Sequence, residues 1–226
     1  MKPYYTDESV TIYHGDCRDI LPSIGKVDLV LTDPPFFLPA AHYQSRVKWQ
    51  RTYGDLTPLI VYWEVMTRAL VAVLKTTGSM FVFCDGDSYP PFYQAMYGAF
   101  DGLDCLVWDK ANVGLGRIFR HQHELVLWGR YTTSFGDCRG RLISDVLRHK
   151  ATPSSERGHP VQKPAELLGA LLEPTTSEKA TVLDPFTGSG TTLEAAKKLG
   201  RKAIGIEIEE KYCEIAANRC RQMVLL

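Results

Sequence analysis

Short apolar runs alternate with stretches of helical spacing along this chain. Residues 10–13, 28–32, 79–84, 103–108, 124–128, 181–184 and 203–206 form runs of four to six residues rich in Val, Leu, Ile and aromatic side chains. Runs of that length, bounded by polar or turn-forming residues, predict buried strands. Between the second and third runs, Leu59, Trp63, Met66, Leu70 and Val73/Leu74 recur at intervals of three and four. That spacing predicts a helix over 57–75 with one core-facing stripe. Further helices are predicted over 93–100, 165–172, 191–199 and 210–223, with Gly200 as the usual C-terminal stop of the third of these. Seven strands with interspersed helices imply an α/β fold, a doubly wound and mostly parallel seven-stranded sheet. The chain of 226 residues carries no internal repeat. It is read as a single domain over 1–226.

Ligands of such sheets bind beyond the carboxyl ends of the strands. Four acids stand at those ends: Asp16, Asp33, Asp184 and Glu207. Asp33 opens the tetrapeptide Asp33-Pro34-Pro35-Phe36, directly after the run 28–32. Each proline fixes its φ near −65° and removes a backbone donor, so the corner is stiff and rich in acceptors. A carboxylate, a carbonyl and a flat ring suit a planar base carrying an exocyclic amine. The acceptors hold the N–H groups while the ring stacks on the π-face. Such an amine is a poor nucleophile because its lone pair is conjugated, and acceptors that favour a pyramidal nitrogen raise its reactivity.

A second motif, Asp184-Pro185-Phe186-Thr187-Gly188-Ser189-Gly190-Thr191-Thr192, follows the run 181–184 and opens the helix 191–199. The next run, 203–206, closes on Glu207. This is the strand–turn–helix–strand plan of a nucleotide site, with an acid about 20 residues on for ribose hydroxyls. The G-x-G-x-x-G dinucleotide fingerprint is absent, so a nucleoside without phosphates fits better.

These residues resemble the DNA amino-methyltransferases, which use S-adenosylmethionine to methylate adenine N6 or cytosine N4. The tetrapeptide and the glycine turn match two signatures of that family. A third match is His159-Pro160-Val161-Gln162-Lys163-Pro164, and Gly15-Asp16 matches the acid that contacts the cofactor adenine. The tetrapeptide precedes the cofactor turn, the order of the circularly permuted β group. The resemblance spans about residues 10–219. It implies a Rossmann-like methyltransferase fold, with Asp33, Pro34, Pro35 and Phe36 catalytic. It also implies that Asp16, His159, Lys163, Pro164, Asp184, Phe186, Thr187, Gly188, Ser189, Gly190, Thr191, Thr192 and Glu207 hold S-adenosylmethionine. Asp before the two prolines accompanies adenine more often than cytosine, so N6 of a flipped adenine is the expected target. Restriction–modification is the setting that the resemblance implies. Cytosine N4 methylation stays open, as does an accessory protein that binds DNA or cofactor without catalysis.

Composition changes this picture only in places. Lys plus Arg and Asp plus Glu both number 26, an even balance for a DNA-binding protein. The distribution is uneven, since residues 110–160 hold nine cations and four acids. A basic stretch can steer a polyanion even when the net charge is zero. Two segments lack clear periodicity: 37–56, on the catalytic side, and 130–158, a short candidate recognition segment. Both are candidate DNA contacts, through Arg46, Lys48, Arg51, Arg139 and Arg141. The six cysteines are scattered without C-x-x-C spacing, which predicts reduced thiols. No apolar run approaches the about 20 residues of a membrane helix. The first residues lack the apolar segment of a secretory signal. A cytoplasmic protein that acts on DNA, with no membrane partner, is expected. A monomer and a homodimer both stay open.

Two other patterns are set aside. His121-Gln122-His123-Glu124 does not have metal-ligand spacing on a strand, so no metal is expected. Tyr89-Pro90-Pro91-Phe92 echoes the tetrapeptide but lacks the acid, and reads as a helix start with proline in the first turn.

Overall fold

The structure, a computed structural model, describes residues 2–35, 57–114, 118–131, 143–153 and 162–222. In chain order the elements are β1 (Tyr5–Thr6), β2 (Val10–His14), α1 (Cys17–Ile20), β3 (Val27–Thr32), α2 (Thr57–Val73), β4 (Leu74–Cys84) and α3 (Tyr89–Met96). They continue with β5 (Gly102–Asp109), β6 (His123–Arg130), β7 (Val146–Arg148), α4 (Ala165–Thr175), β8 (Thr181–Asp184), α5 (Thr191–Lys198), β9 (Lys202–Glu207) and α6 (Glu210–Gln222). The strands form one sheet in the order β1-β2-β9-β8-β3-β4-β6-β5-β7. From β2 to β4 every pairing is parallel, while β6 runs against both β4 and β5.

All seven predicted runs are strands, but the sheet has nine among the described residues, not seven. The additions are β1 and β7, of two and three residues. Strands that short carry no readable period. β7 also corrects the reading of 130–158 as aperiodic throughout. It pairs with β5 through Val107↔Val146, and Trp108 Nε1 donates to the His149 carbonyl at 2.8 Å.

Several helix ends differ from expectation; α4, for example, runs on to Thr175 and α5 stops at Lys198. The helix expected over 93–100 is α3, which opens within the Tyr89-Pro90-Pro91-Phe92 stretch read as a helix start, with prolines in its first turn, and ends at Met96 rather than 100. Proline there loses no helical hydrogen bond and has a suitable φ. Asp85 Oδ1 accepts from the Ser88 backbone N–H at 2.8 Å, fixing the entry. The helix expected to reach 75 ends at Val73, because Leu74 already pairs with Val27 at the start of β4.

Alternation along the central strands builds two cores. Leu29, Leu31, Phe81, Phe83 and Val182 pack with apolar residues of α4, α5 and α6 on one face. Val30, Met80, Val82 and Leu183 pack with Trp63, Met66 and Leu70 of α2 and Phe92 and Met96 of α3 on the other. The chain leaves β8 through α5 towards β9 and leaves β3 through α2 towards β4. The order therefore reverses between β8 and β3, the crevice where an open α/β sheet binds its ligand.

Candidate active site

The strands β2, β9, β8 and β3 are neighbours and parallel, so their carboxyl ends bring Asp16, Glu207, Asp184 and Asp33 to one edge. Asp184 ends β8 and is buried. Its Oδ1 accepts from Thr32 Oγ1 at 2.9 Å and from the Phe186 N–H at 3.1 Å. Burial, with the neighbouring Asp33 charge adding to it, pushes its pKa up to about 6 against the hydrogen bonds from Thr192, Thr32 and Phe186.

The turn after Asp184 requires glycine where the chain comes closest to α6. Gly190 caps α5 with φ 81°, and a Cβ there would lie 2.7 Å from the Ala216 Cβ. Glu207 holds the turn from β9. Its Oε2 accepts from the Gly188 N–H at 2.9 Å and its Oε1 from the Glu209 N–H at 2.8 Å. Burial raises the Glu207 pKa above its ordinary value despite those bonds. Asp16 caps α1 and is clasped by Arg18, whose Nε lies 2.9 Å from Oδ1. Hydrogen bonding to Arg18 lowers the Asp16 pKa.

Asp33 follows β3, and its Oδ2 accepts from Lys163 Nζ at 2.5 Å. Its Oδ1 is buried without a hydrogen-bond partner. Burial pushes the Asp33 pKa up to about 6, against the pull of Lys163 and with the help of Glu124. Lys163 is itself buried, with Glu124 Oε2 at 3.2 Å as a second acid. Gln162, its neighbour, is tied to the glycine turn by Ser189 Oγ at 3.3 Å and to α6 by Arg219 Nη2 at 3.0 Å.

Two cavities meet at Phe186. The larger, about 530 Å³, is lined by Asp16, Arg18, Pro35, Tyr62, Glu207 and Ile208 among others. Its apolar walls and two edge acids have the chemistry to hold a flat purine and a ribose. The smaller, about 60 Å³, is lined by Asp33, Lys163, Asp184, Thr187, Ser189 and Thr191 among others. Two of its lining residues, Asp33 and Thr187, carry buried oxygens without partners, Oδ1 and Oγ1. Buried polar groups are nearly always paired, so orphaned oxygens beside a cavity fit a ligand with polar hydrogens.

This geometry has counterparts in known proteins. The sequence pattern of the N6/N4 DNA methylases matches residues 27–218. This chain belongs to that DNA methylase family. As a member it is a DNA amino-methyltransferase. The Type II methyltransferase M2.LlaDCHI of Lactococcus lactis subsp. cremoris is 30% identical over 96% of this methylase and 91% of its own length. M.HinfI of Haemophilus influenzae is 29% identical over 99% of this chain and 71% of its own. Among solved structures, M1.HpyAVI in complex with SAM superposes with a TM-score of 0.71 at 24% identity, covering 93% of this methylase and 98% of that chain. The cytosine-N4-specific PvuII DNA methyltransferase reaches 0.75 at 19% identity, over 96% and 88%. At those identities the likeness is one of fold.

The structure of the methylase gathers Asp16, Lys163, Asp184, Phe186, the turn 187–192 and Glu207 around the two cavities. Asp33 joins them, with Pro34 and Pro35 next in the chain, and Pro164 caps α4. Phe36, Arg46, Lys48, Arg51, Arg139, Arg141 and His159 lie outside the described residues. Sequence reasoning passed over Glu124, Lys110, Arg18 and Arg219. Glu124 is a lone acid inside an apolar strand, the one signal that could have singled it out. The others are ordinary surface cations until the fold sets them beside an acid. Among the described residues no group of three His, Cys, Asp or Glu is arranged to hold a metal, and no helix is long and apolar enough to cross a membrane.

Proposed function

We propose that this methylase transfers a methyl group from S-adenosylmethionine to the N6 amine of an adenine flipped out of DNA. The observation that carries the reading is the orphaned Asp33 Oδ1 beside a cavity shared with Asp184 and the glycine turn. The cofactor, when bound, supplies a methyl made electrophilic by its sulfonium sulfur. Glu207 and Asp16 offer carboxylates to the ribose hydroxyls and the adenine amine of the nucleoside half, while Ile208 and Pro35 wall its ring. Asp184 and Ser189 face the amino-acid half. Asp33 Oδ1 accepts one N–H of the target amine and the Pro34 carbonyl the other, and Phe36 stacks on the base. These contacts draw the nitrogen lone pair out of conjugation and aim it at the methyl. Catalysis of this kind rests on holding two reactants in line. The proton left on nitrogen after transfer passes to Asp33 or to water. Extrusion of the base is needed because the amine is out of reach inside the duplex.

Adenine is preferred to cytosine because an acid stands before the two prolines. The relatives of restriction–modification type make duplex DNA the substrate to test first. Unmodified duplex DNA is incubated with protein and S-adenosylmethionine, digested to nucleosides and separated by mass spectrometry. N6-methyldeoxyadenosine is the expected product. N4-methyldeoxycytidine without methylated adenine would overturn the base while keeping the enzyme class. No methylated nucleoside from an intact protein would remove the reaction.

A further inference from the structure

We infer that Lys163, Glu124 and Lys110 form a charge ladder that positions Asp33 for the amine, with Lys163 and Glu124 as positioning residues for the reaction. This deepens the reading of Asp33 as the acceptor and rests on it.

The ladder runs in alternating sign across three neighbouring parts of the fold. Lys110, just past β5, places Nζ 2.8 Å from Glu124 Oε1. Glu124, near the start of β6, places Oε2 3.2 Å from Lys163 Nζ. Lys163 reaches Asp33 Oδ2 at 2.5 Å. The β5–β6 pairing sets Glu124 opposite Trp108, two residues before Lys110. Aromatic faces line the path, with Lys163 Nζ 5.2 Å from the Phe83 ring and Lys110 Nζ 5.4 Å from the Trp108 ring. Two acids and two cations balance, as a buried set of charges must.

The arrangement has a direction. Lys163 engages Oδ2 and leaves Oδ1, the buried oxygen without a partner, as the acceptor beside the cavity. A carboxylate held through one oxygen cannot rotate freely, so the other keeps its aim. Glu124 keeps the ammonium charged. Burial works against the Lys163 cation, yet Asp33 and Glu124 outweigh it and hold its pKa above the ordinary value. Burial likewise opposes the Glu124 anion, and Lys163 and Lys110 outweigh it, so its pKa falls below the ordinary value. Among the described residues, Asp184 at the end of β8 and Cys84 at the end of β4 also feel the Asp33 charge. Lys110 is the outermost member, with a side chain 24% exposed, so solvent screens it most.

The ladder makes a prediction of sign. Losing the cation should make Asp33 harder to ionise, and losing the distal acid should make it easier. The parent, Lys163→Met and Glu124→Gln proteins are labelled with ¹³C at the aspartate carboxyl, and Asp33 is titrated by NMR without cofactor or DNA. Asp33→Asn identifies its signal. Relative to the parent, the midpoint should rise in Lys163→Met and fall in Glu124→Gln, each by on the order of one pH unit. The acid limb of kcat/KM should move in the same two directions, a response that packing support alone would not give. Midpoints that stay put, or move the same way, overturn the inference. If Lys163→Met does not fold, Glu124→Gln decides alone, and an unshifted or raised midpoint overturns it. Because the titration needs no turnover, opposite shifts in a protein that transfers no methyl group would remove the proposed reaction and leave the ladder standing.

Discussion

The two halves of the carboxyl edge hold their acids in different ways. On the nucleoside side, both oxygens of Glu207 accept backbone N–H groups, from Gly188 and Glu209. On the base side, Asp33 has one oxygen on a lysine side chain and the other on nothing. Backbone donors are fixed by the fold itself, so the Glu207 end is rigid before any ligand arrives. Asp33 depends on a side chain that depends on another side chain. The difference is that between a site built to receive a ligand in a fixed pose and one built with an acceptor held open. An unpaired buried acceptor costs stability, on the order of 1–3 kcal/mol, and such groups gather where function needs them.

The sharpest way to break this contrast is Asp33→Ala. It should lower methyl transfer on the order of 10²-fold or more, the scale of a lost preorganised polar group. S-adenosylmethionine affinity, read by calorimetry, should stay close to the parent's. Equal losses in both would mean that the two halves act as one. The pH profile adds a second reading of the same residue. If the amine needs an ionised Asp33, transfer should rise as pH climbs through about 6, where the carboxyl loses its proton, and level off above that. A rate that does not change from pH 5 to 8 would count against an ionised acceptor.

The rigid half can be loosened from its backbone. Gly190→Ala places a side chain in a left-handed conformation and 2.7 Å from the Ala216 Cβ. We expect a stability loss of about 2–3 kcal/mol, seen as a lower urea midpoint, from the combined conformational and steric costs. An unchanged midpoint would show that the turn relaxes. Glu207→Ala should weaken S-adenosylmethionine binding by about 1–3 kcal/mol in calorimetry, because the carboxylate both orders the turn and faces the cavity. An unchanged affinity in a folded variant would take Glu207 out of the site. The smallest effect is expected at the join of the two halves. Thr32→Val removes the hydroxyl that donates to Asp184 and should cost about 1 kcal/mol in chemical denaturation. A neutral or stabilising result would mean that Asp184 is held by its other donors.

Much of the fold was legible because its signals are local. The seven apolar runs became seven strands, since a run of four to six apolar residues has few other places to go in water. The stripe from Trp63 to Val73 became the buried face of α2 for the same reason. β1 and β7 were not legible, being too short to hold a period, and neither was the stop of α2 at Val73. That stop is set by a partner strand nearly fifty residues earlier in the chain, and no local signal carries such a pairing.

The site divides in the same way. The sequence by itself determined the tetrapeptide, the glycine turn and the acids that end strands, because a stiff proline corner and a left-handed turn are properties of a few consecutive residues. Only the tertiary structure decided that Lys163 meets Asp33 across 130 positions, that Glu124 stands behind it, and that one oxygen of Asp33 is left open. Which charges neighbour one another follows from strand order and from the depth at which each side chain is buried. Strand order comes from pairings between distant segments, and burial comes from the packing of both faces of the sheet, so neither is written in any short stretch of residues.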